Sequence, residues 1–498
     1  MTFLTNRTFW QLAIISGICI GLSYHRLYFG LLSYIGFIPI IHTWLINNPK
    51  RNFLSGYIFG IVYNIISNYW IATNSGAEFI VVFFSLISAV LYLSIFWGIA
   101  GYIIGLFNKA NNPFIILPFL IVSLEWIRSF GPLGFPWGNL ALTQMEFLPI
   151  LQYIDYAGTY IIALWIVSIN VILYLVLDNK FSSKRLRIFI LTSIAFVLVG
   201  WIRIVSYEPT SESLNIAVIQ PNIDPNEKWD NKNRTHTLDL MDSLYNEAII
   251  LEPDIILFPE TALPTYLRLN NRIRKQLQKK VNISKIPILI GTVDRKIDSS
   301  GIKSYYNSTM FLQPDTDFEM YEKIHLVPFA EYDLMPKLLH PLGKLNLNID
   351  RGVFKGGTNY KVFEWNGILF SDLICYESSL PRYARRFVNE GAELLMIQAN
   401  DGWLGNSSGP YQHFEHARLR AIENRIPIAR AGNTGISGII SPTGEVYNKV
   451  PLDSQSVFLA NIPLNKSGSF YSKYGDVFAA LCFVIFLFIG PVLSCVKE

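Results

Sequence analysis

The sequence predicts an α-helical membrane part of about eight spans joined to one globular α/β domain, and three observations predict it. Half of the chain (51%) is apolar, only 16% is charged and the mean hydropathy is positive, a balance unusual for a soluble protein. The apolar residues cluster in the first two hundred positions and in one stretch near the end. Between them, residues 207–473 have the composition of an ordinary globular α/β domain. The formal charge of +4 gives no reason to expect a nucleic-acid partner.

Apolar segments run over 8–24, 29–47, 53–72, 78–107, 113–128, 157–178 and 186–205. Most approach or exceed the roughly 20 residues a helix needs to cross a bilayer. Seven buried core helices in succession on short loops would exceed an ordinary soluble core. The first segment follows Arg7, lacks a small-x-small cleavage pattern and runs at once into a second, so it reads as retained. An eighth span covers about 474–494, giving a membrane domain 1–206, an α/β domain 207–473 and a terminal helix 474–498. If the spans alternate, Arg7, Lys50, Arg51, Lys109, Lys180, Lys184, Arg185, Arg187 and Lys497 fall on one side, against Arg26 and Arg128 on the other. The positive-inside rule then puts both termini in the cytoplasm and the α/β domain on the opposite face, in a bacterium the periplasmic or outer face of the inner membrane. Within residues 123–144, Glu125 and Arg128 sit three apart and are expected to pair, since an isolated charge is costly there. Phe135, Pro136 and Trp137 suit a re-entrant or interfacial segment, structural or lipid-binding.

In the α/β part, strand-like runs lie at 214–220, 254–260, 286–292, 308–313, 367–375, 394–400, 437–446 and 457–463. Helical stretches fall near 231–250, 266–280, 380–390 and 411–425, and the alternation predicts helices layered over sheets. Of the four cysteines, Cys19, Cys482 and Cys495 lie in apolar stretches, and only Cys375 stands among polar residues. No pair has metal-ligand spacing, and a disulfide framework is not expected. Cys375 ends the run ILFSDLI and precedes a helix start, a position where the helix dipole favours thiolate. Glu260 ends IILFPE, and Lys323 lies in YEKIHLVPFAEY with Glu331 eight residues on. Singly, each has an ordinary explanation: a helix cap, a surface charge, a core thiol. His413 and His416, three apart on one helix, could hold a metal in principle, but no third ligand is apparent.

Together, FPETA, YEKIHLVPFAEY and DLICYESSLP, in that order, resemble the glutamate, lysine and cysteine motifs of the nitrilase (carbon–nitrogen hydrolase) superfamily. With the many spans, the EWIRSFGPLGFPW loop, QPNIDPNEKW, YYNS and the segment NDGWLGNSSGPYQHFEHARLRAIENRIPIARAGNTG, nearly the whole chain resembles the apolipoprotein N-acyltransferase family. The resemblance implies a nitrilase-like αββα sandwich, with Glu260 as general base, Lys323 as oxyanion stabiliser and Cys375 as nucleophile. It implies transfer of an acyl chain from a membrane phospholipid, through a thioester on Cys375, to the N-terminal amine of a diacylglyceryl-cysteine lipoprotein, with no metal or nucleotide cofactor. Glu331 is then expected to orient Lys323 or Cys375. Tyr376 and Glu377 flank the nucleophile, and Glu377 either acts on the incoming amine or caps the following helix. Trp229, Asn307 and Trp403 match family positions near the mouth of the site. An apolar loop at 332–345, with Tyr332, Leu334, Met335, Leu338 and Leu339, is expected to cover acyl chains. The alternatives are a membrane-tethered carbon–nitrogen hydrolase of the amidase kind, which would share the three residues but need only one anchor, and a transporter, for which the spans carry too few charges.

Overall fold

The computed structural model describes residues 1–25, 29–107, 113–328, 330–332 and 354–495. It contains two compact units: one of residues 1–72, 80–207 and 474–498, the other of 73–79 and 208–473. Arg26, Lys109, Lys497 and the loop residues Leu334, Met335, Leu338 and Leu339 lie outside the described residues.

The first unit is helical, with its longer elements at Phe9–Leu22, Ile38–Ile46, Pro49–Asn68, Phe79–Phe107, Ile116–Arg128, Tyr160–Leu177, Ser183–Val205 and Val477–Cys495. Four stretches of helix are long and apolar enough to cross a membrane: Phe29–Ile46, Phe79–Phe107, Tyr160–Leu177 and Ser183–Val205. The expected count of eight is therefore not reached on length and composition among the described residues. The physical reasons are local. Pro49–Asn68 carries Lys50, Arg51, Asn52, Asn64 and Asn68, and the Ile116–Arg128 helix ends after 13 residues. Phe9–Leu22 is apolar but short. Ser183–Val205 exposes Ile188, Leu191, Ile194, Leu198 and Trp201, a surface suited to lipid rather than water. The chain is a membrane protein. Its first helices pack closely because Gly17 and Gly21 are small: a Cβ on either would come within 2.7 Å of a side chain of the Pro49–Asn68 helix. Glu125 and Arg128 do not form the expected direct pair. Glu125 accepts from the Leu140 N–H at 3.1 Å and Arg128 donates to the Gly138 carbonyl at 2.8 Å, so both anchor the backbone of the loop that follows their helix.

The second unit is a four-layer αββα sandwich. Among the described residues its strands are β1 (Ser213–Gln220), β2 (Ile255–Leu257), β3 (Ile288–Ile297), β4 (Lys303–Leu312), β5 (Glu319–Glu322), β6 (Phe363–Trp365), β7 (Ile368–Ile374), β8 (Leu394–Ala399), β9 (Ile428–Gly432), β10 (Ser437–Ile440), β11 (Val446–Val450) and β12 (Ser456–Pro463). They form two six-stranded sheets, β12-β1-β2-β3-β4-β5 and β11-β10-β9-β8-β7-β6. Each sheet has a parallel centre, β1-β2-β3 and β7-β8-β9, with antiparallel strands outside it. Met241, Leu244, Tyr245, Ala248 and Val281 of helices Asn231–Ile250 and Asn271–Ser284 pack onto Ala217, Ile219, Ile256, Ile288 and Ile290 of the first sheet. That burial, at about 25 cal/mol per Å² of apolar surface, is the main force on this layer.

Between the sheets lies a fully buried polar bridge. Gln398 on β8 donates both amide hydrogens to the first-sheet side, to the carbonyls of Phe258 (2.7 Å) and Leu289 (3.2 Å). This orients its oxygen toward the Thr309 hydroxyl at 2.8 Å, and Thr309 also hydrogen-bonds Asp372 on β7. One hydroxyl has one hydrogen, so with that hydrogen on Gln398 the carboxyl of Asp372 must supply its own. Burial accordingly pushes Asp372 well above the usual carboxylate range. A carboxyl raised in the folded state contributes stability that is present at low pH and lost as pH climbs through its raised value. The melting temperature of the wild type should therefore fall more steeply on the alkaline side than that of Asp372→Asn, whose amide can donate to Thr309 at any pH. Parallel thermal melts across pH test this, and coincident curves would refute the neutral carboxyl.

Candidate functional site

The site gathers at strand ends of the second unit, where open α/β sheets commonly present their chemistry. β2 stops at Leu257, and the turn that follows carries Glu260. Two features force that turn. Thr261 takes a positive φ of 44°, uncommon for a non-glycine residue. Gly291 on β3 lies so close that a Cβ there would come 2.5 Å from the Pro259 carbonyl oxygen and 2.6 Å from the Glu260 Cα. Asn307 projects from β4, Lys323 directly follows β5, and Cys375 directly follows β7.

Cys375 itself has φ 51°, a strained left-handed backbone of the kind found at nucleophile elbows. Only a single 3-10 turn, Cys375–Ser379, follows before the α-helix Pro381–Asn389. The expectation of a dipole-stabilised thiolate therefore needs correction. Burial, followed by the negative charge of Glu260, pushes the Cys375 thiol well above its ordinary value, with Lys323 opposing. These influences favour the protonated thiol over the thiolate. Glu260 is the carboxylate that acts most strongly on the thiol, and burial raises it above the ordinary glutamate value.

The remaining groups close around this pair. Asn307 Nδ2 donates to Glu260 Oε1 at 2.7 Å and reaches Glu331 Oε1 at 3.1 Å. Lys323 Nζ, only 1% exposed, donates to Glu331 Oε1 at 2.9 Å and lies 2.8 Å from its Oε2. Burial alone would pull this ammonium down, but Glu331, Glu260 and Cys375 raise it, so it stays charged. Glu331 is in turn fixed by the Val327 N–H at 2.7 Å. Glu260, Asn307, Lys323, Glu331 and Cys375 thus form one connected cluster.

Glu377 belongs to a different network. Its Oε1 accepts from the N–H groups of Ile324 (2.8 Å) and His325 (3.1 Å), its Oε2 from Ile374 N–H (2.9 Å), and the Tyr321 hydroxyl meets both oxygens. Of the two readings left open by the sequence, these bonds support the structural one: the carboxylate straps the chain beside Lys323 to the chain beside Cys375. Tyr376 is buried against His325, with ring centroids 5.8 Å apart. Trp229 is half-buried in the turn after β1. Trp403 is half-buried too; its carbonyl accepts from the Ser75 N–H at 2.7 Å, which helps hold residues 73–79 to this unit.

Sequence reasoning considered His413 only as a metal ligand. Donor atoms of Cys375, Asp401 and His413 lie within 4.8 Å of one another, so further ligands exist that the sequence did not reveal. The guanidinium of Arg430 on β9, however, donates to Asp401 at 2.7 Å, and His413 Nδ1 is 2.6 Å from the same carboxylate. Against the push of burial, His413 and Arg430 hold Asp401 down to about 2. A cation already fills that role. The other imidazole nitrogen of His413 is 3.0 Å from the Cys375 carbonyl, which can only accept, so the trio holds the elbow.

A half-buried cysteine thiol with a glutamate and a lysine beside it, at the strand ends of an αββα sandwich, defines an acyl-transferring enzyme of the carbon–nitrogen hydrolase class. Residues 215–471 match the Carbon-nitrogen hydrolase family, and residues 16–172 match the Apolipoprotein N-acyltransferase N-terminal domain. Over 95% of this chain and 93% of the relative, 31% of residues are identical to an apolipoprotein N-acyltransferase of Geobacter metallireducens. One from Aquifex aeolicus is 30% identical over 90% of this chain and 98% of its own. A solved amidase from Nesterenkonia sp. AN1, in complex with butyramide, is 18% identical over 52% of this chain and 94% of its own, with a TM-score of 0.39. The chain belongs to the apolipoprotein N-acyltransferase family.

Two outcomes test the geometry. Alkylation of Cys375 should fail as pH falls through the raised value of Glu260, placing the acid limb above the ordinary carboxylate range, and Glu260→Gln should remove that limb and slow the reaction by about 10²–10⁴-fold. Glu377→Gln should turn an amide against backbone donors and cost about 1–3 kcal/mol of stability, read as a lowered melting temperature together with lost Cys375 reactivity. An unchanged melt with lost activity would instead favour a chemical role for Glu377.

Proposed function

We propose that the chain moves an acyl group from a membrane phospholipid to the free α-amine of a diacylglyceryl-cysteine at a lipoprotein N-terminus, by way of a thioester on Cys375. The observation that carries this reading is the hydrogen-bonded cluster of Glu260, Asn307, Glu331 and Lys323 around the Cys375 thiol, on which the charges of Glu260 and Lys323 act directly. Glu260 takes the thiol proton as sulfur attacks the ester carbonyl. The oxyanion is stabilised by Lys323 and the backbone N–H after Cys375. As the carbon–oxygen bond breaks, Glu260 returns the proton to the departing glycerol oxygen, and lysophospholipid leaves. The amine then attacks the thioester and gives a proton to Glu260. The carbon–sulfur bond breaks, and that proton restores the thiol.

Trp229, Trp403 and Tyr376 line the approach to the thiol in this reading. The basic residues Lys50, Arg51, Lys180, Lys184, Arg185 and Arg187 support a cytoplasmic face for their loops, with the catalytic unit on the periplasmic or outer side of the inner membrane. A membrane enzyme suits such substrates because drawing an acyl chain out of the bilayer costs about 0.8 kcal/mol per methylene.

Purified enzyme incubated with labelled phospholipid should form a hydroxylamine-sensitive adduct that is absent in Cys375→Ala. A chase with a diacylated lipopeptide should transfer the label to the peptide amine. No adduct from phospholipid, together with ammonia released from small amides, would overturn the proposal in favour of an amidase.

A further inference from the structure

Among the described residues, Lys228 is a buried cation beside Glu260 that the chemistry above does not use. It is 1% exposed, in the turn between β1 and the Asn231–Ile250 helix, directly before Trp229. Its Nζ donates to the Thr261 carbonyl at 2.6 Å, on the residue that follows Glu260 and holds the strained positive φ. Glu260 and Lys228 also attract one another electrostatically.

Counting charges shows why a cation belongs there. The groups facing Glu260 are Lys323 and Glu331 from the segment after β5, the neutral Asn307 from β4 and the Cys375 thiol after β7. Lys323 is bonded to both oxygens of Glu331, so that pair is neutral as a unit. Lys323 lowers Glu260 while Glu331 raises it, so only part of the lysine's charge is left to offset the burial of this carboxylate, an arrangement that favours the protonated acid. We propose that Lys228 is a positioning residue for the base: its ammonium fixes the Thr261 carbonyl, and so the turn that aims Glu260 at the thiol, and its charge keeps Glu260 ionised. The inference rests on Glu260 serving Cys375 as base. Burial lowers the Lys228 ammonium to about 8 even against the attraction of Glu260, as expected of a charge held inside for a purpose beyond solvation.

Lys228→Gln in the full-length enzyme separates the two parts of the role, since an amide can still donate to Thr261 but carries no charge. Alkylation of Cys375 by iodoacetamide, followed against pH, needs no acyl donor, so it reads Lys228 even if phospholipid proves not to be the substrate. Its acid limb, and that of acyl-adduct formation from labelled phospholipid, should move up by about one pH unit or more. The rate at neutral pH should fall about tenfold and recover at higher pH, while Lys228→Arg keeps the wild-type limb. A profile superimposable on the wild type, or a uniform loss at every pH, would overturn the proposal, the latter marking a merely structural prop. If Lys228→Gln fails to fold, Lys228→Met and Lys228→Arg carry the same comparison: a limb that moves in Lys228→Met alone supports the charge, and limbs that coincide refute it.

Discussion

An ammonium enclosed among carboxylates, away from water, is the constraint around which this protein is built. A buried charge is costly unless paired and hydrogen-bonded, and Lys323 is held by Glu331 and faces Glu260 and Cys375. This arrangement determines the chemistry. The surrounding carboxylates favour the charged lysine, whereas burial and Glu260 favour the protonated thiol beside it; in the proposed reaction the first meets the oxyanion and the second depends on Glu260. In the proposed chemistry the two acids divide the work: Glu260 moves a proton, and Glu331, bonded to Lys323, positions a cation.

Such a cluster requires that segments distant in sequence be held to a fraction of an ångström, and buried polar groups do the holding. Glu377 ties the backbone at Ile324 and His325 to that at Ile374. Arg430, Asp401 and His413 reach the Cys375 carbonyl from the other side. Both strained backbone positions, Thr261 and Cys375, have their carbonyls held by a buried basic side chain. Strain at a site persists when its surroundings over-determine it, and here the determinants are hydrogen bonds whose loss would leave orphaned partners.

The helical unit follows a different rule. Where the surroundings are hydrocarbon, apolar packing between helices gains little, so contact depends on small residues such as Gly17 and Gly21. Polar groups inside then serve as local anchors, as Glu125 and Arg128 do for the loop at Gly138 and Leu140. Among the described residues four of the apolar segments form helices long and apolar enough to cross a membrane, because apolar content accumulates over a window whereas helix length is set by caps and breaks. Asn48, for instance, caps Pro49–Asn68 with Lys50 and Arg51 in its first turn.

The sequence by itself determined the division into membrane and α/β parts, the main strands and helices, and the order of Glu260, Lys323 and Cys375, since hydrophobic runs and short motifs are local properties. It did not show β5, β6, β9 or β11: β5 and β6 are short, β11 is largely exposed and polar, and β9 hides Arg430 inside IARAG, where a charge speaks against a buried strand until its partner Asp401 is visible. Nor did it show whether Cys375 is thiol or thiolate, which role Glu377 plays, or that Lys228 touches the Glu260 turn. Those depend on burial and on which groups from distant segments become neighbours, and pairwise electrostatics in a dry interior exists only once the tertiary structure has brought the charges together.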